Sequence, residues 1–502
     1  MMDGLLLGVA TALSPENLLF CLIGVLVGTL IGVLPGVGPT ATIAILLPLT
    51  IGLDPAAAIV MLAGIYYGAS YGGSTTAILL NIPGEAQSVV TCLDGYQMAR
   101  RGRAGPALAI AAIGSFIAGT LGAAGIGLLS QPMMAVAIRF GALEYFAIML
   151  LGFTLVVALT KTSPLKSIAM IGIGLLLSTI GQDVITGQTR FTFGRIELLD
   201  GISVAAVAMG LFGLGEVLWN LRVLGERRVE TPRVGPLMPS REEMYRSAGP
   251  VARGSLLGFL VGVLPGGGAT LASFVAYTLE KRLSPRPETF GKGAVEGVAA
   301  PEAANNAGTA GSFIPLLTLG LPGNPVTAIL LGALILHGVA PGPLLMSNHP
   351  EVFWGVVVSM YVGNAFLLLL NLPLVGLWVQ LLRVPYWLLF GALVLLMVIG
   401  AYALRSNPID IVILAGFGVF GYALRRFDYD PTPLVLAFVL GDALEFNLRQ
   451  AMMLSRGSLD YLWTRPWALG IFAATLLVAV LPLLGGAGRI LARARAANDA
   501  SA

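Results

Sequence analysis

The residues best suited to binding chemistry lie in two similar phrases, one in each half of the chain. Gly32–Thr40 reads GVLPGVGPT, and Gly262–Thr270 reads GVLPGGGAT. Each phrase interrupts a long apolar run, because proline removes a backbone donor and clashes with the preceding helical turn. A helix that restarts after such a break presents free N–H groups and the positive end of its dipole, which suits a carboxylate. We therefore predict substrate contacts at Gly36, Gly38, Thr40, Gly266, Gly268 and Thr270.

Two further stretches, Tyr66–Thr76 and Pro301–Ser312, are rich in hydroxyl, amide and small side chains. Each lies just ahead of another Pro-Gly pair, Pro83-Gly84 or Pro322-Gly323. Small residues allow a backbone to approach a ligand closely. The alternative is plain helix packing through small residues, with the hydroxyls bonded back to their own helix. The binding interpretation predicts substrate contacts at Ser74, Thr75, Thr76, Asn305, Asn306 and Thr309.

A co-transported cation is the second expected ligand. The four stretches contain no Lys or Arg, so helix ends, hydroxyls and a bound cation must offset the charge of a carboxylate substrate. Half-helices that end at a break offer free carbonyl groups, which suit Na+. We predict cation contacts, through backbone or side chain, at Gly36, Asn81, Gly266, Asn306 and Asn324. Acids in or near apolar segments are candidates for proton transfer, with none favoured over the rest: Glu85, Asp94, Asp183, Glu216, Glu296, Glu302, Asp442 and Glu445.

An intramembrane serine hydrolase is the competing class. Gly68–Gly72 fits the G-x-S-x-G pattern around Ser70, and His337 could serve as its base. The pattern is short, and nothing else marks a nucleophile elbow or an oxyanion hole, so we do not expect an enzyme. Cys21 and Cys92 lie far apart, and no zinc-binding pattern is present. We predict no metal, no other cofactor and no nucleic-acid partner.

Composition identifies the elements that must hold these residues. The 502 residues are 56% hydrophobic and only 11% charged, whereas a soluble domain carries about 25% charged residues. Apolar runs long enough to span a bilayer recur from end to end. The chain is therefore predicted to be an all-α polytopic membrane protein, with the lipid bilayer as its main surroundings.

The two halves align beyond the first phrase. Leu80–Glu85 matches Leu319–Asn324, and Ser163-Pro164 matches Asn407-Pro408. We predict a first repeat over residues 1–220, with a hairpin at about 17–51, a broken span at about 56–98 and scaffold spans to 220. We predict a second repeat over residues 249–449, with a hairpin at about 253–280, a broken span at about 294–340 and further scaffold spans. Residues 221–248 form a linker, and residues 450–502 add one transmembrane helix and a basic tail.

Positive charge indicates that the repeats have opposite orientations. The loop after the first hairpin has no Lys or Arg, whereas the loop after the second carries Lys281, Arg282, Arg286 and Lys292. Because Lys and Arg concentrate in cytoplasmic loops, the repeats are predicted to be inverted. This scheme places the N-terminus in the periplasm, and the linker and C-terminus in the cytoplasm. The first arm of the first hairpin is long enough to span, but symmetry favours a re-entrant hairpin.

Long motifs resemble a known family. They are VLPGVGPTATIAILLPLTIGLDP from Val33, YYGASYGGSTTAILLNIPGEAQ from Tyr66, GKGAVEGVAAPEAANNAGTAG from Gly291 and FIPLLTLGLPGNPVTAILLGALILHG from Phe313. Together they closely resemble the large membrane subunit (TctA-like) of tripartite tricarboxylate transporters, over nearly the whole chain.

The resemblance implies a bacterial inner-membrane permease that imports citrate or related small carboxylates by symport, usually with Na+. It implies two partners, a small membrane subunit (TctB-like) and a periplasmic solute-binding protein (TctC-like). ATP is not expected to drive uptake, and the sequence contains no Walker A motif. The scaffold spans would supply any homodimer contact.

Overall fold

The computed structural model describes residues 2–34, 38–160, 162–183, 185–223, 234–266, 268–381, 386–458 and 460–480. The first half contains α1 (Met2–Ala12), α2 (Pro15–Val33), α3 (Pro39–Leu46), α4 (Pro55–Leu80), α5 (Thr91–Arg100), α6 (Ala104–Ala137), α7 (Ala142–Leu159), α8 (Pro164–Ser178), α9 (Val204–Ala208) and α10 (Gly215–Val223). The second half contains α11 (Arg241–Val263), α12 (Gly268–Leu283), α13 (Glu296–Gly311), α14 (Phe313–Leu319), α15 (Pro325–Leu336), α16 (Leu345–Asn348), α17 (Pro350–Asn371), α18 (Val375–Leu381), α19 (Tyr386–Arg405), α20 (Ile409–Arg426), α21 (Thr432–Ser455), α22 (Asp460–Trp463) and α23 (Pro466–Val480).

Shorter elements join these helices. A π-helix, Met209–Leu214, connects α9 to α10, and the 3-10 helix Leu47–Thr50 extends α3. Further 3-10 turns lie at Ala86–Val89, Ile196–Leu198 and Pro287–Thr289. The strands Gly181–Gln182 and Thr189–Arg190 form a small antiparallel pair.

Six of the described helices are long and apolar enough to cross a membrane: α2, α4, α6, α7, the continuous run from α9 to α10, and α17. Two of them, α2 and α4, and the shorter helix α15 start with a side-chain cap followed by proline, a pairing that satisfies free N–H groups and presets the first helical φ angle. Asp54 Oδ2 accepts a hydrogen bond from the Ala56 N–H at 3.0 Å ahead of α4, and Asn324 caps α15 in the same way. The predicted all-α polytopic membrane fold is confirmed.

Helix α4 occupies the centre of the molecule. Every residue from Ala56 to Leu79 is buried, which fits a helix that is apolar or small on all faces. Helix α4 continues through Gly68–Gly73 and breaks at Asn81–Gly84, which contains the Pro83-Gly84 pair. Packing overrides the low helix propensity of these glycines. In the second half, α14 ends at Gly320 and α15 begins at Pro325.

A glycine stripe packs each hairpin against the helix that follows it. In the first half, a Cβ on Gly24, Gly28 or Gly32 would lie 2.3, 2.4 or 2.4 Å from the carbonyl oxygen of Met61, Ile65 or Ala69. In the second half, Gly254, Gly258 and Gly262 oppose Ala300, Ala304 and Gly308 in the same manner, at 2.4, 2.3 and 2.2 Å. Small residues at these positions let the helix backbones touch.

The order of these contacts fixes helix direction. Residue numbers rise together along α2 and α4, so these helices run parallel, and α11 runs parallel to α13 by the same criterion. The chain therefore returns through α3 to the end of the bundle at which α2 began. Helix α4 extends eleven residues beyond Ala69, about 16 Å further than the end of α2.

The central helices of the two halves run in opposite directions. Ser70 of α4 contacts Thr309 of α13, and Ser74 contacts Glu302, so the numbers rise on one helix as they fall on the other. Arginines also cross between the halves. Glu216 pairs with Arg425, and Glu445, its counterpart in the sequence alignment of the halves, pairs with Arg190 at 2.9 Å.

The glycine stripes give the first prediction. Gly28→Ala and Gly258→Ala each force a methyl group against a backbone oxygen, so we expect each to lower the free energy of unfolding by about 1–3 kcal/mol. The matched control is Gly172→Ala on α8, because nothing lies within 4 Å of a Cβ there. The midpoint of thermal unfolding of the purified protein checks this. If the α2 and α11 variants unfold at the same temperature as Gly172→Ala, the packing described here is wrong.

Candidate functional site

The two hairpin tips lie at the starts of α3 and α12. Gly38 is the N-cap residue of α3, and Gly268 begins α12 with a positive φ of 53°. A Cβ on either glycine would meet no atom of the described residues within 4 Å, so these residues leave open space beside both tips. Gly36 and Gly267 lie outside the described residues. The free N–H groups of both helices are thus placed beside room for a ligand.

Hydroxyl groups near the tips divide into two kinds. Thr42 Oγ1 donates to the Gly38 carbonyl at 3.1 Å, and Ser273 Oγ donates to the Ala269 and Pro301 carbonyls at 3.0 and 3.2 Å. Both hydroxyl groups are bonded to backbone carbonyl groups, which is the arrangement expected if these residues only pack helices together. Thr40 and Thr270 are half-buried in the first turns of α3 and α12, where a hydroxyl can add to the N–H groups of the helix end.

In each half, the end of the helix before the tip lies against the Pro-Gly break. Gly84 follows the break after α4, and its N–H donates to the Gly73 carbonyl at 3.4 Å, beside the carbonyl of Gly32. In the second half, the Gly266 N–H donates to the Gly323 carbonyl at 2.8 Å. Gly266 adopts a φ of 77°, which only glycine readily accepts.

The matched breaks share their backbone geometry. Asn81 ends α4 and Gly320 ends α14 in the left-handed conformation, with φ of 57° and 69°. Glu85 and Asn324 then occupy equivalent extended positions ahead of the next helical turn. Asn81 is exposed. Asn324 Oδ1 accepts from the Thr327 N–H at 3.0 Å, and its Nδ2 donates to Tyr66 Oη at 3.1 Å, so this side chain is committed to capping.

A buried polar network joins the halves between α4 and α13. Ser74 Oγ donates to Glu302 Oε2 at 2.5 Å, and Thr91 donates to the other oxygen of that carboxylate. Ser70 Oγ lies 3.2 Å from Thr309 Oγ1, and Gln87 Nε2 donates to Ser70 Oγ at 3.1 Å. The structure therefore brings Ser74 and Thr309, predicted from separate repeats, into one cluster.

The remaining predicted residues lie at the edges of this network. Asn306 Nδ2 donates to Ser115 Oγ at 2.6 Å and to the Glu302 carbonyl at 3.1 Å. Thr76 Oγ1 donates to the Gly73 carbonyl at 3.1 Å. Thr75 is buried and lines a small void beside Ser115. Asn305 is completely buried, yet neither its Oδ1 nor its Nδ2 has a hydrogen-bond partner among the described residues.

Sequence reasoning did not assign site roles to Gln87, Thr91 and Ser115. Gln87 and Thr91 follow the first break within a few residues, so the polar run after a Pro-Gly pair was an available signal. Ser115 gives no such signal, because it is one hydroxyl in the long apolar helix α6.

Thr91 supports a second prediction. Thr91→Val keeps the shape of the side chain but leaves one oxygen of the buried Glu302 carboxylate without its donor. We expect the free energy of unfolding to fall by about 1–3 kcal/mol. Thr91→Ser keeps the hydroxyl and should stay closer to wild type. The midpoints of thermal unfolding of the two variants test this prediction. A valine variant as stable as the serine variant would show that the Thr91 hydroxyl does not stabilise the Glu302 carboxylate.

A larger cavity, about 820 Å³, lies away from the tips. The strand pair after α8, together with α9, α15 and α21, forms its walls. Its arginines are already paired with acids. Arg449 Nη1 lies 3.0 Å from Asp183 Oδ2, Arg190 pairs with Asp183 and Glu445, and Arg405 pairs with an acid of α20. The cavity therefore offers space but no unpaired arginine for an anion.

The hydrolase residues do not meet. His337 Nε2 lies 2.9 Å from Thr50 Oγ1, near the start of α4. Ser70 is fifteen residues further along that helix than Pro55, a rise of about 22 Å. Ser70 instead contacts Thr309 and Gln87. A Ser-His pair is therefore not formed by these two residues.

Comparisons with known proteins give one family model and two uncharacterized relatives. The model of the tripartite tricarboxylate transporter TctA family matches residues 18–436. An uncharacterized 52.8 kDa protein in the TAR-I ttuC' 3' region of Agrobacterium vitis is 52% identical over 484 residues, which cover 96% of each chain. A protein in the TAR-II ttuC' 3' region of the same organism is 50% identical over 227 residues, 45% of this chain and 94% of the relative. No solved structure matches the chain. The chain belongs to the tripartite tricarboxylate transporter TctA family.

Proposed function

We propose that this chain is the permease subunit of a secondary transporter that imports tricarboxylates or related small carboxylates, such as citrate, with a cation gradient. The observation that carries the proposal is that α2 and α11, the helices ahead of the two tips, each end against the break of their own half in a chain of a transporter family. Non-helical backbone at membrane depth is tolerated where it is buried in protein or lines a cavity. Two such sites in corresponding positions point to the place where a transporter binds its substrate.

The substrate carboxylates would bind at the tips. The N–H groups at the starts of α3 and α12 favour negative charge. Gly38 and Gly268 leave open space for it, and Thr40 and Thr270 add hydroxyl donors. The central network would then couple the two tips, because its hydrogen bonds link α4 of one half to α13 of the other.

Two inverted repeats are part of the proposal. The antiparallel course of α4 and α13, the matched glycine stripes and the matched left-handed helix ends support it. With Arg100, Arg101 and Arg103 in the cytoplasm, the chain path puts the N-terminus and the loop after α8 on the periplasmic side. The cavity lined by that loop would then open toward a periplasmic solute-binding protein (TctC-like), in an inner-membrane complex with a small membrane subunit (TctB-like).

Uptake in cells tests the assembly. Radiolabelled citrate, and then a panel of di- and tricarboxylates, would be offered to bacteria that lack their own carriers and express this chain. The chain would be expressed alone, with the small subunit, or with the small subunit and the binding protein. We expect uptake only with all three proteins. Uptake by the chain alone would replace the tripartite proposal with a self-sufficient carrier.

A further inference from the structure

A buried carboxyl group and a buried amide lie close together at the junction of the two halves, without a well-aligned hydrogen bond among the described residues. Glu85 is 8% exposed and Asn305 is 0% exposed. Both oxygens of Glu85, and both the Oδ1 and Nδ2 of Asn305, lack a well-aligned hydrogen bond among the described residues. Buried polar groups in native structures are nearly always bonded, so four such atoms in one place require an explanation.

The equivalent position in the second half holds a side chain whose hydrogen bonds are formed. Asn324 holds the position equivalent to Glu85, and its side chain caps α15 by accepting a hydrogen bond from the Thr327 N–H. In the first half, Ser88 Oγ accepts from the Glu85 N–H at 3.4 Å, but the Glu85 carboxylate caps nothing. The same backbone therefore presents a carboxylate that is left free for another partner.

The charge around Glu85 is negative and unbalanced. The side chains of Gln87, Asn305 and Ser70 lie within interaction distance of the Glu85 carboxyl group, and the carboxylate of Glu302 repels a negative charge there. Ser74 and Thr91 bond Glu302 as hydroxyl donors and do not neutralise it. No Lys, Arg or His among the described residues contributes to either carboxylate. Buried charge without a counter-charge is costly, and a bound cation would remove that cost.

We propose that Glu85 and Asn305 form a Na+ site, with Ser70 and Gln87 beside it. The site rests on the proposed function, because it would be where the driving ion binds. Carboxylate, amide and hydroxyl oxygens are hard ligands, which suit Na+ and not a transition metal. Glu85 follows the break that lies against Gly32 of the first hairpin, and Asn305 belongs to α13. An ion there would draw together the two halves that carry the two tips.

Binding of radioactive 22Na+ to the purified full-length chain, in complex with its small subunit, tests the site without substrate. Wild type should bind Na+ saturably. Glu85→Gln should weaken the Na+ affinity about 100-fold, because a neutral amide replaces the buried carboxylate that balances the charge of the ion. Glu445→Gln is the matched control, since this acid lies on α21 with arginine partners, and its Na+ affinity should not change. Absence of saturable Na+ binding to wild type, or equal affinity in Glu85→Gln, would overturn the site.

Two further variants separate a binding role from a folding role. Asn305→Leu removes the amide oxygen and should also abolish Na+ binding, so the test stands if Glu85→Gln does not fold. Glu85→Gln combined with Asn305→Asp moves the charge across the site and should recover part of the affinity. No recovery in a folded double variant would argue against a shared site.

The outcomes distinguish the site from the proposed function. Saturable Na+ binding that needs Glu85, without carboxylate uptake by the assembled complex, would uphold the site and contradict the transport proposal. If uptake is driven by Na+ but the Na+ affinity of the complex is unchanged by Glu85→Gln, the transport proposal is supported and the site is refuted.

Discussion

Replacing both Thr40 and Thr270 with valine is expected to reduce carboxylate uptake to background while the protein still folds and inserts. Valine keeps the shape of threonine but cannot donate a hydrogen bond to the substrate at the hairpin tips. A hydrogen bond to a charged group contributes about 1.5–3 kcal/mol. Each single variant should therefore lower the rate at limiting substrate about tenfold, and the double variant about 100-fold. Initial rates of uptake in vesicles measure this effect.

Thr278→Val is the matched control for the tip variants. Thr278 lies on α12 as Thr270 does, but it is exposed, and its hydroxyl bonds the Phe274 carbonyl of its own helix at 2.8 Å. It should transport at the wild-type rate. Normal uptake by a correctly inserted double variant, Thr40→Val with Thr270→Val, would refute the tip assignment.

Removing Arg405 should give the largest loss of stability. Asp410 is completely buried, and Arg405 holds it with two hydrogen bonds of 2.7 and 3.0 Å. Arg405 also donates to the Gly201 carbonyl at 3.1 Å, which joins α19 to the loop before α9. Arg405→Leu leaves a buried carboxylate without a counter-charge, a change that costs about 3–5 kcal/mol. The midpoint of thermal unfolding in detergent should fall clearly.

The matched comparisons for Arg405 are a double variant and a surface pair. Arg405→Leu with Asp410→Leu removes both charges, so much of the lost stability should return. Glu242→Ala breaks only the exposed contact with Arg246, whose atoms are 4.0 Å apart, and should leave the midpoint unchanged. A single Arg405→Leu variant as stable as Glu242→Ala would show that the buried pair is not formed.

Proline and glycine made much of this fold predictable. The tips at Gly38 and Gly268 and the breaks before Glu85 and Asn324 all follow a Pro-Gly signal that removes helical hydrogen bonds. The glycines of Gly68–Gly73 look like the same signal, yet α4 runs through them. Their role depends on the backbone of α2, which packs against them, and local sequence does not reveal that neighbour.

The composition of the candidate site was harder to predict. Ser74 and Asn306 belong to visible polar clusters, and the structure places them in or beside one network. The proposed Na+ site joins Glu85 and Asn305, which are more than two hundred positions apart, so a single sequence gives no sign of it. Asn324 matched Glu85 by alignment, but only the three-dimensional contacts show that one side chain caps a helix and the other does not.

The most direct test of the account is citrate uptake into proteoliposomes that contain this chain and its small membrane subunit. Binding protein would be added outside, with and without an inward Na+ gradient of the same osmolarity. We expect uptake that requires both the binding protein and the Na+ gradient. Equal uptake when either one is omitted would contradict it.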